Sequence, residues 1–358
     1  MDQNNQAERR TPASQDRKKK KRWALLSALI AGLTIWAVSS QWKGFSLLAL
    51  FDTLTEANPG WMLLAVLAML GFVFFEGCAL RSACLALHYP TTRRAAFAYA
   101  AADIYFSAIT PSASGGQPAC ALMMRRGGIP GSVAAAVLML TLTMYALAIL
   151  IIGALTMLFA PSVFLMFSPF ARVLIIAGTV IQLGLLAVFI LLMSSRDLFK
   201  RVCFALLRLL AALHLIRNLE SKEARLERTM NEYRRRAGLL TGHRPLLLRS
   251  FFYNLLQRIS ALAVSMFVYL ALGGSPASAP GIFAVQSFVV LGSNCVPIPG
   301  AMGVADYLML DGFQAFMSPD RVVIMELISR SVSFYSCVLL CGLIVLISSL
   351  RKRKVDLQ

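Results

Sequence analysis

Six apolar runs, each long enough to cross a lipid bilayer, constrain the fold of this chain more than any other feature. A helix needs about 20 apolar residues to cross the hydrocarbon core. Backbone polar groups in that core must bond to each other, and a helix satisfies them within one segment. The chain is therefore predicted to be an all-α polytopic membrane protein with about six transmembrane helices. The runs cover residues 23–40, 60–80, 131–160, 172–194, 248–273 and 321–350.

The composition excludes a soluble enzyme. Hydrophobic residues make up 58% of the 358 positions and charged residues 15%, whereas a soluble domain has about 25% charged residues. The net charge is +18, but basic residues gather at the cytoplasmic ends of membrane helices, so no nucleic-acid partner is expected. The seven cysteines show no CxxC spacing and are expected to be free thiols.

The basic residues give each run a direction across the membrane. Residues 1–22 are predicted to be a basic cytoplasmic tail, and residues 351–358 a second one. Residues 195–247 are also rich in Lys and Arg, and they are predicted to form a basic amphipathic linker in the cytoplasm. Both termini are therefore expected on the cytoplasmic side.

Two further apolar stretches, 95–124 and 282–316, are interrupted by proline and glycine. Each has both ends on one predicted side, so each is expected to be a re-entrant broken-helix hairpin, and the two enter from opposite faces. The first belongs to a membrane unit over 23–194 and the second to a unit over 248–350. Inverted units with interrupted helices in matching places are typical of transporters. The alternative is that one stretch is a kinked full span, which would shift the topology.

The two breaks carry polar groups suited to a wet cavity at membrane depth. Proline ends a helix, glycine permits dihedral angles closed to other residues, and the N-terminus of the following half-helix attracts anions. Asp306 is either a partner of the helix dipole only or a cavity residue as well. The candidate substrate-binding residues in the breaks are Thr110, Pro111, Ser114, Gly115, Gly116, Gln117, Asn294, Pro297, Pro299, Gly300, Gly303 and Asp306.

Ionisable residues inside the apolar runs are the second group of candidates, because each is costly in hydrocarbon. Arg258 and Arg330 are expected to bind an anionic group of the substrate. Glu326 lies one helical turn before Arg330, so these two side chains are expected to pair. Glu76 and Asp103 are expected to be further charge partners.

Three motifs occur in order along the chain. They are Thr110-Pro111…Ser114-Gly115-Gly116-Gln117-Pro118, then Pro297-x-Pro299-Gly300-x-x-Gly303-x-Ala305-Asp306, then Arg330-x-x-x-Phe334-Tyr335 followed by Gly342. Together they resemble the lysylphosphatidylglycerol synthase transmembrane (flippase) family, over roughly residues 20–350. The chain departs from the family at Asp306, where Glu is commoner, and at Ser112 and Cys120, where an aromatic residue and Gln are expected.

The resemblance implies a function in phospholipid movement. Long members of the family join this membrane part to a transferase that charges phosphatidylglycerol with lysine, and the membrane part moves the product between leaflets. We expect a lipid translocase of the bacterial cytoplasmic membrane without the transferase domain, and with no catalytic residue, cofactor or metal site. A separate lipid synthase is an expected partner, and a homo-oligomer is an open alternative. Two other functions stay open: a membrane subunit of, or enzyme named as, phosphatidylglycerol lysyltransferase, and an ion-coupled solute transporter.

Overall fold

The computed structural model describes residues 55–110, 113–194, 243–294 and 303–355, together with Ala301 and six isolated positions between 201 and 238. Within these residues the regular structure is helical throughout, and no strand occurs. The predicted first span, 23–40, and almost all of the predicted linker lie outside the described residues.

The helices follow the hydropathy pattern closely. Five of the described helices are long and apolar enough to cross a membrane, and they correspond to the predicted runs from 60–80 to 321–350. The predicted all-α polytopic membrane fold is confirmed. The elements are α1 (Pro59–Ala86), α2 (Arg93–Ile109), α3 (Gly116–Arg126), α4 (Gly131–Phe159), α5 (Pro161–Met166), α6 (Pro169–Ser194), α7 (Arg244–Ala271), α8 (Ala279–Ser293), α9 (Val304–Phe313), α10 (Pro319–Arg330), a π-helical segment (Ser331–Ser336) and α11 (Cys337–Val355).

Local sequence sets where the helices begin. The Asn58 side chain accepts hydrogen bonds from the first backbone N–H groups of α1, at 2.9 Å from Gly60 N, and Pro59 occupies the first helical position. Thr92 caps α2 in the same way, because its hydroxyl accepts from Ala95 N at 3.2 Å. These caps satisfy donors that the start of a helix leaves without partners.

Helices α1 and α7 pack against each other in opposite directions. At one end, Asn58 N donates to Ala271 O at 2.8 Å. Further along the pair, Gln257 donates a hydrogen bond to the Glu76 carboxylate. The two long helices therefore run antiparallel.

Each broken stretch folds back on itself. In the first, Gln117 of α3 reaches back to Asp103 of α2 with a hydrogen bond of 2.8 Å. In the second, Gly292 of α8 lies so close to α9 that a Cβ on it would come within 2.7 Å of the Leu308 side chain. Pairs α2/α3 and α8/α9 are therefore antiparallel hairpins, each lying between two long helices in the chain.

The order of long helix, hairpin and long helix thus occurs twice, as α1–α4 (the first repeat) and α7–α11 (the second repeat). Each repeat packs its second long helix against the hairpin of the other. Gly153 of α4 lies against Leu291 of α8, and Gly342 of α11 lies against Tyr105 of α2. In both contacts the missing side chain of glycine lets the helix approach closely.

Helix α6 lies at the side of this arrangement and exposes a broad apolar surface, as expected of a helix in contact with lipid. The exposed side chains include those of Phe170, Val173, Ile176, Val180 and Leu183.

Candidate functional site

A cavity of about 300 Å³ lies between the two repeats. Phe72, Ser107 and Ala113 line it from the first repeat. The second repeat contributes Arg258, Asn294, Ala301, Arg330 and Phe334, among others. Residues at both helix breaks therefore border one space, and both candidate arginines reach it.

Arg330 ends α10 and is held by two carboxylates. Its Nε donates to Asp306 Oδ1 at 2.6 Å, and its Nη2 donates to the same oxygen. Glu326 Oε1 lies 3.6 Å from Nε, one helical turn earlier. The structure therefore contains the Glu326–Arg330 pair that the spacing predicts, while the shorter contact is with Asp306. The guanidinium also lies 5.8 Å from the centre of the Phe334 ring.

Asp306 has both of the roles considered for it, as a partner of the N-terminus of α9 and as a residue beside the cavity. Its Oδ2 accepts a hydrogen bond of 2.8 Å from Gly303 N, which caps the helix. Its Oδ1 binds Arg330 beside the cavity. The carboxylate therefore fixes the start of α9 relative to the end of α10.

Arg258 of α7 has a different environment from Arg330. Its guanidinium carbon lies 4.9 Å from the centre of the Phe72 ring and 4.5 Å from that of Tyr145, so both rings make cation–π contacts. Its Nε is buried and has no hydrogen-bond partner among the described residues. Its positive charge acts on the buried carboxyl groups of Glu76 and Asp103. In the described part of the chain, Arg258 has no carboxylate within ion-pair distance.

Asn294 at the second break is fixed by two helices. The Tyr145 hydroxyl donates to its Oδ1 at 2.9 Å, and its Nδ2 donates to Gln182 Oε1 at 3.0 Å. Tyr145 therefore contacts both Arg258 and Asn294, so α4 links the arginine to the opposite helix break.

The chain matches the family model described as lysylphosphatidylglycerol synthase TM region over residues 23–341. This match covers most of the chain. The protein belongs to this family. The resemblance seen in the three motifs is thereby confirmed. A comparison with curated proteins finds no match.

The predicted site residues divide into two groups in the structure. Asn294, Arg258 and Arg330 line the cavity. Gln117 and Asp306 instead bind charged side chains beside it. The predicted residues Pro111, Pro297, Pro299 and Gly300 lie outside the described residues.

Thr110 closes the turn at the first break. Its hydroxyl donates to Phe106 O at 2.6 Å and accepts from Gly115 N at 2.8 Å. The hydroxyl thus satisfies one backbone group on each side of the break, which unwound backbone at membrane depth requires. Ser114, in the same turn, is exposed.

The glycines of the first break serve a purpose other than the predicted one. Neither Gly115 nor Gly116 has a positive φ, so the expectation that they supply unusual dihedral angles is wrong. They are needed for close approach: a Cβ on Gly115 would lie 2.6 Å from Thr110 Cγ2, and one on Gly116 would strike Asp103 and Ser107. The residues with a positive φ are Ala113 (53°) in the first break, and Ala301 (51°) and Gly303 (83°) in the second.

Two buried carboxylates lie behind the cavity wall. Glu76 accepts a hydrogen bond from Gln257 of α7. Asp103 accepts from Gln117 at 2.8 Å and from the Ser107 hydroxyl at 3.4 Å. Amide and hydroxyl groups, rather than arginines, are therefore their hydrogen-bond partners, although the charge of Arg258 acts on both carboxyl groups.

Sequence reasoning did not find Phe72, Tyr145 or Gln257. Aromatic residues are common in apolar helices, so Phe72 and Tyr145 carry no signal of their own. Gln257 did carry one, because a glutamine next to Arg258 inside an apolar run is costly unless it is bonded.

Proposed function

We propose that the protein moves a phospholipid between the two leaflets of the membrane. The headgroup enters the cavity between the repeats, and the acyl chains stay in the surrounding lipid. The family description names lysylphosphatidylglycerol, which makes phosphatidylglycerol and its aminoacylated form the first substrates to test. A bacterial cytoplasmic membrane and a separately encoded lipid synthase fit this proposal.

The environment of Arg258 is the observation that carries the proposal. Arg330 already forms ion pairs with two carboxylates, whereas Arg258 has no carboxylate within ion-pair distance among the described residues. It lies on the cavity wall between two aromatic rings. A planar guanidinium binds phosphate with paired, charge-assisted hydrogen bonds. Arg258 is therefore assigned to the lipid phosphate.

The hairpins suit this movement. We infer that α2/α3 and α8/α9 are re-entrant and enter from opposite faces of the membrane. Their breaks would then place polar groups on one cavity at membrane depth, as broken helices do in transporters. Access from each leaflet requires the two repeats to separate sideways, because a lipid must keep its acyl chains outside the protein.

Lipid movement is measured in proteoliposomes that contain fluorescent phosphatidylglycerol, lysylphosphatidylglycerol or phosphatidylethanolamine, with a quencher added outside. Loss of the protected inner-leaflet signal reports movement. A hydrogen bond to a charged group contributes about 1.5–3 kcal/mol. Arg258→Ala should therefore slow the movement by roughly 10–100-fold, and Arg258→Lys should keep part of the rate.

The matched control is Arg249→Ala, since Arg249 is an exposed arginine on the same helix. Gel filtration confirms that each variant is folded. If Arg258→Ala moves lipid at the wild-type rate, or if Arg249→Ala loses as much of the rate, then Arg258 does not bind the lipid phosphate. Absence of movement for all three lipids with the folded wild-type protein would contradict the proposal itself.

A further inference from the structure

The cavity between the two repeats follows one side of helix α8. Gln286, Val289, Ser293 and Asn294 all line it, and their spacings of three, four and one residues place them on the same side of the helix. Asn294 follows Gln286 by eight residues, which is about 12 Å along a helix axis. The cavity therefore extends along α8 from the second break to Gln286.

Arg258 lies at the Asn294 end of the cavity. Tyr145 joins these two residues, because its ring centre lies 4.5 Å from the Arg258 guanidinium carbon and its hydroxyl donates to Asn294 Oδ1 at 2.9 Å. The Arg258 Nε is buried and has no hydrogen-bond partner within the described part of the chain. This end of the cavity therefore suits the lipid phosphate, which accepts charge-assisted hydrogen bonds.

Arg330 lies near the same end. It binds Asp306, two residues before Leu308 on α9. Leu308 lies beside Gly292, close to the end of α8, and α8 and α9 form an antiparallel hairpin. Among the described residues that line the cavity, Arg258 and Arg330 are the charged ones. Positive charge is therefore gathered at the end of the cavity near the second break.

Gln286 is uncharged and lies away from this end. Its Oε1 is buried and has no hydrogen-bond partner among the residues that the structure describes. The other polar side chains on this side of α8 are already bonded, since the Ser293 hydroxyl donates to Val289 O at 2.7 Å and both polar atoms of the Asn294 side chain have partners. Buried polar atoms are almost always satisfied, so a ligand group that donates a hydrogen bond is expected at Gln286.

The cavity wall favours a hydroxyl group over an ammonium group as this donor. A buried ammonium needs a carboxylate or a free aromatic face to offset its charge. The lining residues in the described ranges include no carboxylate, and their two aromatic rings, Phe72 and Phe334, contact the arginines. A hydroxyl group needs only neutral partners. A carboxamide both accepts and donates, so Gln286 has the chemistry to bind two neighbouring hydroxyl groups.

The size of the cavity agrees with a phosphoglycerol headgroup. Its volume is about 300 Å³. At about 30 Å³ for each water-sized group it has room for roughly ten of them, and phosphoglycerol has about ten non-hydrogen atoms. A headgroup of this size, with its phosphate at Arg258, extends along α8 toward Gln286.

We propose that Gln286 binds the hydroxyl groups of the lipid headgroup. The cavity then selects phospholipids whose headgroup carries hydroxyl groups and no charge beyond the phosphate, such as phosphatidylglycerol. Phospholipids with an ammonium group, such as phosphatidylethanolamine and lysylphosphatidylglycerol, are disfavoured. This selectivity rests on the proposed function, because it takes the headgroup to enter the cavity.

The test compares the rates of the three lipids in proteoliposomes that contain the purified full chain. The wild-type protein should move phosphatidylglycerol at least about 10-fold faster than either ammonium lipid, because a buried charge without a partner is costly. Gln286→Leu should slow phosphatidylglycerol by about 2–10-fold, the usual effect of losing a neutral hydrogen bond. The rates of the two ammonium lipids should change little.

Gln286→Glu provides a test in the opposite direction. It keeps the shape of the side chain and offers a carboxylate to an ammonium group. This variant should slow phosphatidylglycerol and speed the movement of lysylphosphatidylglycerol and phosphatidylethanolamine, an effect that a purely structural role of Gln286 would not produce. The matched controls are Gln314→Leu and Gln314→Glu, since Gln314 is an exposed glutamine of the second repeat. Both should keep the wild-type order of the three lipids.

Two results would overturn the selectivity and leave lipid movement established. They are equal rates for phosphatidylglycerol and lysylphosphatidylglycerol in the wild-type protein, and an unchanged order of rates in the folded Gln286 variants. If one variant does not fold, the other gives the same comparison.

Absence of movement for all three lipids would instead contradict the proposed function. Lipid binding to the folded protein, measured by native mass spectrometry, then decides the selectivity separately. Retention of phosphatidylglycerol over lysylphosphatidylglycerol, lost in Gln286→Leu, would support the assignment of Gln286. Equal retention of the two lipids would overturn it.

Discussion

Arg330 is a residue whose charged neighbours restrict its substitution. It is 8% exposed and holds two carboxylates, Asp306 and Glu326. Removing one member of a buried charge pair costs about 3–5 kcal/mol, because the remaining charge is left without compensation. We therefore expect Arg330→Met to lower the free energy of unfolding by about that amount, measured by thermal unfolding of the purified protein.

The expected loss should be reversible by removing the carboxylates. The triple variant Arg330→Met, Asp306→Asn, Glu326→Gln should be markedly more stable than Arg330→Met alone. Arg321→Met is the control, because Arg321 is an exposed arginine on the same helix. If Arg330→Met and Arg321→Met are equally stable, the buried pair contributes nothing measurable.

At the residue scale, sequence separation decided what could be predicted. The Glu326–Arg330 pair follows from helical spacing, since the two residues are four apart. Asp306 lies 24 residues from Arg330, across the turn between α9 and α10, and no local pattern joins them. The hydrogen bond from Gln257 to Glu76 bridges 181 residues, so only packing of the two repeats can reveal it.

At the element scale, the start of α3 depends on the absence of a side chain at Gly116. A Cβ there would strike Asp103 and Ser107. Overpacking of this kind costs about 1–3 kcal/mol. Gly116→Ala should therefore lower the melting temperature and weaken the contact between α2 and α3, measured by thermal unfolding and by protease sensitivity of the first break.

The control for this prediction is Gly184→Ala. Gly184 lies inside α6 with no atom near its missing Cβ, so alanine should be neutral or stabilise the helix by up to about 1 kcal/mol. A Gly116→Ala variant as stable as Gly184→Ala would show that the hairpin can open at this point without cost.

Hydropathy and proline predicted the elements well because both act locally. The long helices and the two breaks lie where apolar runs and prolines place them. The π-helical segment Ser331–Ser336 was missed, because the apolar run continues through it without interruption. It directly follows Arg330 and carries Phe334, which contacts the Arg330 guanidinium. A π-helical segment locally widens an α-helix, and such segments often lie at functional sites.

At the scale of the whole molecule, the two hairpins should open toward opposite faces of the membrane. Single cysteines in a cysteine-free background can test this with a membrane-impermeant thiol reagent. Pro90→Cys and Arg126→Cys flank the first hairpin, and Ala277→Cys and Ala315→Cys flank the second; all four positions are exposed. The members of each pair should be labelled from the same side, and the two pairs from opposite sides.

If Pro90→Cys and Arg126→Cys are labelled from opposite sides, the first broken stretch crosses the membrane and is not re-entrant. The same comparison at 277 and 315 decides the second hairpin independently. A cysteine at the exposed position His88, two residues before Pro90, serves as a second reporter of the same face.

The crossed glycine contacts have a consequence for the energies of the open forms. If the hairpins enter from opposite faces, the contact of Gly153 with Leu291 and that of Gly342 with Tyr105 lie toward opposite leaflets. If one repeat tilts relative to the other so that they separate on one face, the glycine contact on that face becomes longer and the one on the other face becomes shorter. Each contact sets a glycine against one side chain of the other repeat, so the difference between a leucine and a tyrosine side chain becomes a source of resting bias. Exchanging those two side chains should reverse which leaflet the empty protein faces.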